Sequence, residues 1–453
     1  MKNYRLLTIV FVMIFIAGGV LHFRKESGRA TKETVKEESL KAVLPGARSF
    51  SKETGEFPYY KGYKTTAQTD TDLVGFAFFS ADIVPEITGY AGPIPMAIGM
   101  SPEGKITKVH VLSHSETSSY ISNLDSFLGQ FASKSIHDPF ELGKDLDGIS
   151  RATITSTAIA RAVETSLDEA GRSILQMEAA GPAAPKKPLA WDEILIPLVL
   201  FGVAVAGILT HKQNLRWIAL FGGFVYFGIV KSTMVSVVHF VNIGLMSFPS
   251  FEQSPLWYML MGLTLLTTFL FGMVFCGSLC PFAAVEELLY NLVHRKKRFP
   301  ERPLSNKVDQ KSRYIKYLVL FTAVAVSAFL GNSGPASIEP FLTLFTLNGT
   351  FLAWSLLALM LLLAFSQFRF WCKYLCPVGA CLGLFSRFSL YKIKLGDNCS
   401  QCAACEKICP TRAIRMDETG MPRIDYPECI LCGKCVRVCP MEKTKNPTQK
   451  NEQ

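Results

Sequence analysis

All thirteen cysteines of the chain lie at or after Cys276, and twelve of them sit in tightly spaced motifs. Near the C-terminus, Cys399-x2-Cys402-x2-Cys405-x3-Cys409-Pro410 is followed by Cys429-x2-Cys432-x2-Cys435-x3-Cys439-Pro440. Three thiolates at this spacing wrap three corners of an iron–sulfur cubane. The fourth, held by its proline, crosses to the neighbouring cluster. The spacing therefore predicts one [4Fe–4S] cluster on Cys399, Cys402, Cys405 and Cys439, and a second on Cys429, Cys432, Cys435 and Cys409. Zinc is the competing metal, but zinc sites rarely use eight cysteines with two C-x3-C-P endings.

A shorter motif occurs twice upstream, as Cys276-Gly277-Ser278-Leu279-Cys280-Pro281 and Cys372-Lys373-Tyr374-Leu375-Cys376-Pro377. Cys276, Cys280, Cys372 and Cys376 together supply four thiolates, enough for one further metal centre if the two segments meet. Buried free cysteines acting as small hydrophobes are the alternative. Two identical motifs at equivalent depth favour a redox role. Cys381, one turn beyond Pro377, reads as structural. No cysteine precedes Cys276, so the first half holds no disulfide, and the regular motifs point to metal ligation in a reducing compartment.

These thiolates must be positioned by elements that the hydropathy pattern outlines. Hydrophobic residues make up 49% of the 453 and charged residues only 19%. The apolar residues gather in long runs, as in a multi-pass membrane protein embedded in lipid. A first run at 6–21 is a membrane anchor or signal peptide, read here as an uncleaved anchor. Five more lie near 192–210, 217–235, 257–276, 314–330 and 351–370, each approaching the ~20 residues needed to cross a bilayer. The loop at 281–313 carries eight Lys/Arg, whereas the loops at 236–256 and 331–350 carry none. By the positive-inside rule the basic loop and the C-terminal tail are cytoplasmic, and residues 25–190 lie outside. The net charge of +10 is then largely a topology signal, and no nucleic-acid partner is expected. The apolar stretch 233–249 falls in an external loop and reads as re-entrant or interfacial. His239 within it is expected to have an ordinary packed or interfacial role.

The external region is expected to hold a globular α+β domain at 56–178. It has short alternating strands such as the one in 105–114, and a helix from about Thr157 to Met177. Residues 26–55 and 179–191 read as linkers. The informative segment is Asp147-Gly148-Ile149-Ser150-Arg151-Ala152-Thr153-Ile154-Thr155-Ser156. It resembles the D-G-x-S-G-A-T-x-T-S motif of covalent FMN-binding domains. Those domains occur in subunits of the Rnf and sodium-pumping quinone oxidoreductases and in NosR. The resemblance implies FMN joined through a phosphoester to Thr153, with Asp147, Ser150, Ala152, Thr155 and Ser156 around it. A helix N-terminus would favour the phosphate, and a tether suits an exported domain. Arg151 replaces the family's glycine, where it can disturb the backbone's close approach or pair with the phosphate. The alternative is a plain Ser/Thr helix cap. Gly89-Tyr90-Ala91-Gly92-Pro93-Ile94 and Ser113-His114-Ser115-Glu116-Thr117 resemble the strand and loop of the same domain. They add Glu116 and Thr117 to the expected site.

The whole layout resembles the NosR/NirI family, with the PceC-type branch associated with reductive dehalogenases nearer in size. The expected architecture is an anchor at 1–25, the FMN domain at 56–178 and a five-helix membrane core at 192–390. A ferredoxin-like α+β domain at 391–445 and a tail at 446–453 follow. The resemblance implies a cell-membrane electron conduit of about six spans. It would link cytoplasmic [4Fe–4S] clusters, or the quinone pool, to an external FMN, and so to an exported terminal reductase or its maturation factors. A flavin transferase would attach the FMN, and soluble ferredoxin is a further expected partner. Two other readings are a quinol dehydrogenase and a redox-sensing regulatory membrane protein. All predicted thiolates lie at or inside the cytoplasmic face, so a quinone, a second flavin or a re-entrant segment must bridge the ~30 Å hydrocarbon core.

Overall fold

Leu73–Phe79 reads Leu-Val-Gly-Phe-Ala-Phe-Phe. Successive side chains of a strand point to opposite faces, so both faces of this one need cover. The computed structural model describes residues 33–54, 57–65, 72–85, 87–90, 92–114, 116, 121, 123–149, 152–176, 191–244, 251, 254–294, 305–330, 339–347, 349–393 and 399–439. The apolar run at 6–21, most of the linker at 179–191, Ser150, Arg151, Thr117, Pro440 and the tail at 446–453 lie outside those residues.

Five strands form an antiparallel meander: β1 (Ser49–Glu53), β2 (Tyr59–Tyr63), β3 (Leu73–Phe79), β4 (Met96–Met100) and β5 (Ile106–Val111). Phe76 and Phe78 of β3 face one side with Met96, Ile98 and Met100 of β4, in a cluster completed by Ile159, Val163 and Leu167 of helix α2 (Thr153–Ala170). Ala77, Phe79 and Ala97 face the other side and meet Leu40, Val43 and Leu44 at the end of helix α1 (Glu33–Val43). Residues 33–53, read from the sequence as linker, are thus a helix and an edge strand of this domain. Leu40, Val43 and Leu44 follow helical spacing but are hidden among charges. Full burial of Phe78 alone contributes about 1.5–3 kcal/mol.

The second half is helical. Trp191–Leu209 (α3) packs on Gln213–Gly223 (α4) and on Pro255–Phe271 (α6). Among the described residues, Trp191–Leu209 and Lys307–Leu330 (α9) are each long and apolar enough to cross a membrane. Pro340–Thr346 (α10) and Phe351–Ser366 (α11), bent by 104°, would count as a third. The runs expected near 217–235 and 257–276 take other forms. The first is α4 continuing into a π-helical turn at Phe224–Val230. The second, α6, has 17 residues and stops at Gly272, whose φ of +102° no other residue type adopts readily. The stretch predicted as re-entrant contains a short helix, α5 (Val237–Gly244), in which residues 237–242 are all buried.

Both C-x3-C-P motifs fold alike. A positive-φ residue, Gly272 or Arg369, precedes a five-residue helix, α7 (Val274–Ser278) or α12 (Phe370–Tyr374). A Cys-Pro step then opens α8 (Pro281–His294) or α13 (Pro377–Ser386). Proline at the first helical position removes an N–H that would be unpaired there.

Candidate functional site

The two motifs meet. Cys276, Cys280, Cys372 and Cys376 line one cavity, together with Val235, Phe341, Lys316 and Arg369. Thr411, Pro427, Glu428 and Ile430 of the C-terminal domain close its other wall. The local turns are superposable in their hydrogen bonds. The Cys280 N–H donates to Phe275 O at 2.9 Å and the Cys376 N–H to Trp371 O at 2.8 Å. The Cys280 and Cys376 carbonyls each accept from the fourth residue on at 3.1 Å. Sγ of Cys376 accepts from the Gly379 N–H at 3.3 Å.

Buried charges tie one motif to the other. Arg369, just ahead of the second motif, donates to the carbonyls of Cys276 (2.7 Å) and Gly277 (3.3 Å) in the first. It also pairs with Glu287 Oε2 at 2.6 Å, and Arg216 forks onto the same carboxylate at 3.0 and 2.6 Å. In return Glu286, from the helix after the first motif, accepts from the backbone N–H groups of Trp371 (2.7 Å) and Cys372 (3.3 Å). Glu286, Glu287, Arg216 and Arg369 are all at most 3% exposed. The set places two guanidinium groups and two carboxyl groups beside four thiols, and locks the two motifs together.

Sequence reasoning missed these four residues. For Arg369, at the end of the apolar run 351–370, the signal was present: an ionisable side chain inside such a run is expensive and marks function by default.

The C-terminal domain repeats its own backbone. Gln401 and Leu431, then Ala403 and Gly433, all have positive φ, ahead of helices α14 (Ala404–Ile408) and α15 (Lys434–Val438). Between them β6 (Ile414–Met416) pairs with β7 (Pro422–Ile424). Cys409 lies within electrostatic reach of Cys429 and Cys435, and Cys405 of Cys399 and Cys402. Cys435 is also within reach of Cys405. Cys439 is partly buried, and nothing described places it near Cys399. Burial pushes the Cys435 thiol up to about 12 and raises Cys429 as well. A metal that binds there must displace protons. Cys402 is exposed, and the Ala404 backbone N–H holds its thiol below the usual range. Among the described residues no three His, Cys, Asp or Glu side chains converge on a single-ion site.

This domain is anchored to the helical core by buried ion pairs. Lys316 Nζ meets Glu428 Oε1 at 2.7 Å, and Arg313, paired with Asp309, donates to Thr411 O at 2.8 Å. A Cβ on Gly277 would collide with the Ile430 carbonyl oxygen, and one on Gly383 would lie 2.8 Å from that of Pro427. The loop between Cys429 and Cys432 therefore rests directly on the segment between Cys276 and Cys280.

In the N-terminal domain Thr153 is the first residue of α2, and its side chain is exposed. Its neighbours are committed to structure. Thr155, 2% exposed, donates to Glu116 Oε2 at 2.9 Å. Ser156, fully buried, accepts from the Ile149 N–H at 3.0 Å. Ala152 is buried and its N–H closes a turn onto Ile149 O at 3.0 Å. The main chain of exposed Asp147 is held by both ends of the Gln130 amide, at 2.7 and 3.0 Å. Of the described hydroxyls in the motif, only that of Thr153 is exposed at the helix N-terminus, where free N–H groups favour an anion.

His239 is 1% exposed. Its Nε2 lies 2.7 Å from the hydroxyl of Tyr90, in the loop beside Glu116, and its ring stacks on Trp257 with centroids 5.6 Å apart.

Comparison with known proteins agrees segment by segment. The FMN-binding domain family matches residues 89–168. A 4Fe-4S binding domain matches 253–300 and 348–396, the stretches carrying the two C-x3-C-P motifs, and a 4Fe-4S dicluster domain matches 398–443. An uncharacterized protein of Methanocaldococcus jannaschii is 37% identical over 181 residues, 39% of this chain and 65% of that protein. Regulatory protein NosR of Stutzerimonas stutzeri is 32% identical over 219 residues, 46% of this chain and 30% of its own length. Protein NirI of Paracoccus denitrificans is 31% identical over 230 residues, 47% of this chain and 33% of its own. The chain thus spans just under two thirds of the archaeal protein and about a third of NosR and NirI.

Proposed function

This chain belongs to the NosR/NirI-type flavo-polyferredoxins, and from that premise we propose that it is a membrane electron conduit. It would join clusters on the cytoplasmic side, or the quinone pool, to an external flavin, and supply an exported terminal reductase or its maturation factors. The observation that carries the reading is the single cavity on which the two C-x3-C-P motifs converge, walled on one side by the dicluster domain. Cys276, Cys280, Cys372 and Cys376 would hold one metal centre there. The two tail clusters would sit on Cys399, Cys402, Cys405 with Cys439, and on Cys429, Cys432, Cys435 with Cys409. FMN would be esterified to Thr153 by an external flavin transferase. The iron–sulfur groups and the flavin supply one- and two-electron chemistry, and the protein sets their spacing and surroundings.

Residues 25–190 are assigned to the outside and the dicluster domain to the cytoplasm. A reporter inserted near Ala180 should be external and one fused after Gln453 internal. Both on one side would sink this topology. A regulatory role is a second reading, suggested by the likeness to regulatory protein NosR.

Three measurements test the conduit. Purified anaerobically and supplied with menaquinol or reduced ferredoxin, the full chain should pass electrons to its flavin. Thr153→Ala should abolish ultraviolet fluorescence of the denatured band, whereas Thr155→Ala should keep it and lose about 1–3 kcal/mol of stability, because Glu116 is left buried with one partner fewer. Cys409→Ser should damage the cluster of Cys429, Cys432 and Cys435. Damage confined to the cluster of Cys399, Cys402 and Cys405 would reject the crossed assignment.

A further inference from the structure

The conduit reading leaves a gap between the four-cysteine cavity and the flavin on Thr153, and the described contacts run across it. At one end, Val235 and Phe341 line the cavity. Next to Val235, Ser236 begins the turn into α5. Two residues before Phe341, Glu339 accepts from the Val237 N–H at 3.3 Å. Glu339 is 4% exposed. One turn on, the Ser236 N–H donates to Nδ1 of His239 at 3.2 Å.

That bond fixes the imidazole. A nitrogen that accepts a backbone N–H carries no proton, so the neutral ring keeps its proton on Nε2. Nε2 therefore donates to the Tyr90 hydroxyl at 2.7 Å, and the two rings meet edge to face with centroids 5.5 Å apart. Tyr90 belongs to the N-terminal domain but packs against the helical core's apolar cluster. Its neighbour Gly89 lies flush on the Glu116 carboxylate, with no room for a Cβ. Glu116 in turn holds Thr155, two residues beyond Thr153.

We propose that Tyr90 and His239 are the junction through which electrons pass between the four-cysteine centre and the flavin. Each electron lost by one group is gained by the other. No bond forms or breaks at Tyr90 or His239, and neither is itself oxidised or reduced. The two residues act by position: they hold the flavin-bearing domain against the core and fill the space between with hydrogen bonds and stacked rings rather than lipid. This inference rests on the conduit reading, and the test separates the two.

The full chain, with flavin attached and iron loaded, is mixed anaerobically with limiting reduced ferredoxin, and flavin absorbance is followed by stopped flow. Tyr90→Phe keeps the ring and removes the hydroxyl. His239→Gln keeps a buried donor and removes the ring. Each should slow flavin reduction by roughly tenfold or more, since ångström displacements of reacting groups cost up to about 10²-fold. Direct flavin reduction by dithionite, the midpoint potentials and the iron content should stay as in the parent.

Both changes act on the one contact between Tyr90 and His239, so the double variant should be slower than the worse single by much less than the product of the two effects. A general loosening of the fold would instead multiply them and move the potentials. A parent chain that never reduces its flavin overturns the conduit reading and the junction together. A parent that does, with both single variants at the parental rate, overturns the junction alone.

Discussion

The first C-x3-C-P motif, around Cys276 and Cys280, and the second, around Cys372 and Cys376, have the same turn and are gripped in different ways. The first offers its carbonyls: those of Cys276 and Gly277 are taken by Arg369 and Arg216. The second offers its N–H groups, which Glu286 takes. After the first cysteine stands Gly277, bare enough for the Ile430 backbone to rest on it. At the equivalent place stands Lys373, paired with Asp309 at 2.5 Å, and Asp309 is also held by Arg313 and Tyr374. The repeat thus supplies two pairs of thiolates, and the residues that differ between the copies join the pairs and orient the dicluster domain.

The largest expected effect comes from removing the clamp. Arg369→Met takes the side-chain donor from the Cys276 carbonyl and leaves both the Gly277 carbonyl and Glu287 with Arg216 alone. Breaking a buried pair this way costs about 3–5 kcal/mol. The variant should melt at lower temperature and, on the proposed assignment, lose the metal of the four C-x3-C-P cysteines, while its tail keeps about eight irons. Full retention at all sites would mean that the motifs meet without the clamp.

Gly277→Ala is expected next. The added methyl meets the Ile430 carbonyl, and such overpacking costs about 1–3 kcal/mol. Iron content should hold while electron transfer from the tail clusters to the four-cysteine centre slows, as read by rapid-freeze spectroscopy. An unchanged rate would show that this contact does not set the distance between them.

Lys373→Ala should have the smallest effect, about 1.5 kcal/mol, because Asp309 keeps Arg313 and Tyr374. Cluster potentials and transfer rates should stay close to the parent's. If Lys373→Ala proves costlier than Gly277→Ala in denaturant unfolding, the two motifs are gripped in the reverse order of strength.

Much of this was legible in the sequence because it is local. Cysteine spacing within a few residues states what can be ligated, and the Asp147–Ser156 motif singled out Thr153, which the structure leaves exposed at a helix N-terminus while Thr155 and Ser156 are buried. The membrane runs were visible as composition but not as geometry. Gly272 stops one helix early and a π-helical turn extends another, and both depend on what packs alongside. Residues 33–53 misled as a linker because four buried apolar side chains, Leu40, Val43, Leu44 and Ala47, were outnumbered by exposed charges.

The sequence by itself determined which thiols, which hydroxyl and which apolar runs the protein has, since these follow from residue identity and from spacings shorter than a few turns of chain. Only the tertiary structure decided that Cys276 and Cys372, far apart in the chain, share one cavity, that Arg369 reaches back to the first motif, and that His239 meets Tyr90. Those contacts join segments whose separation along the chain encodes nothing about distance. They form because a buried charge must find its partner and a buried imidazole its donor and acceptor, and the fold brings just these together.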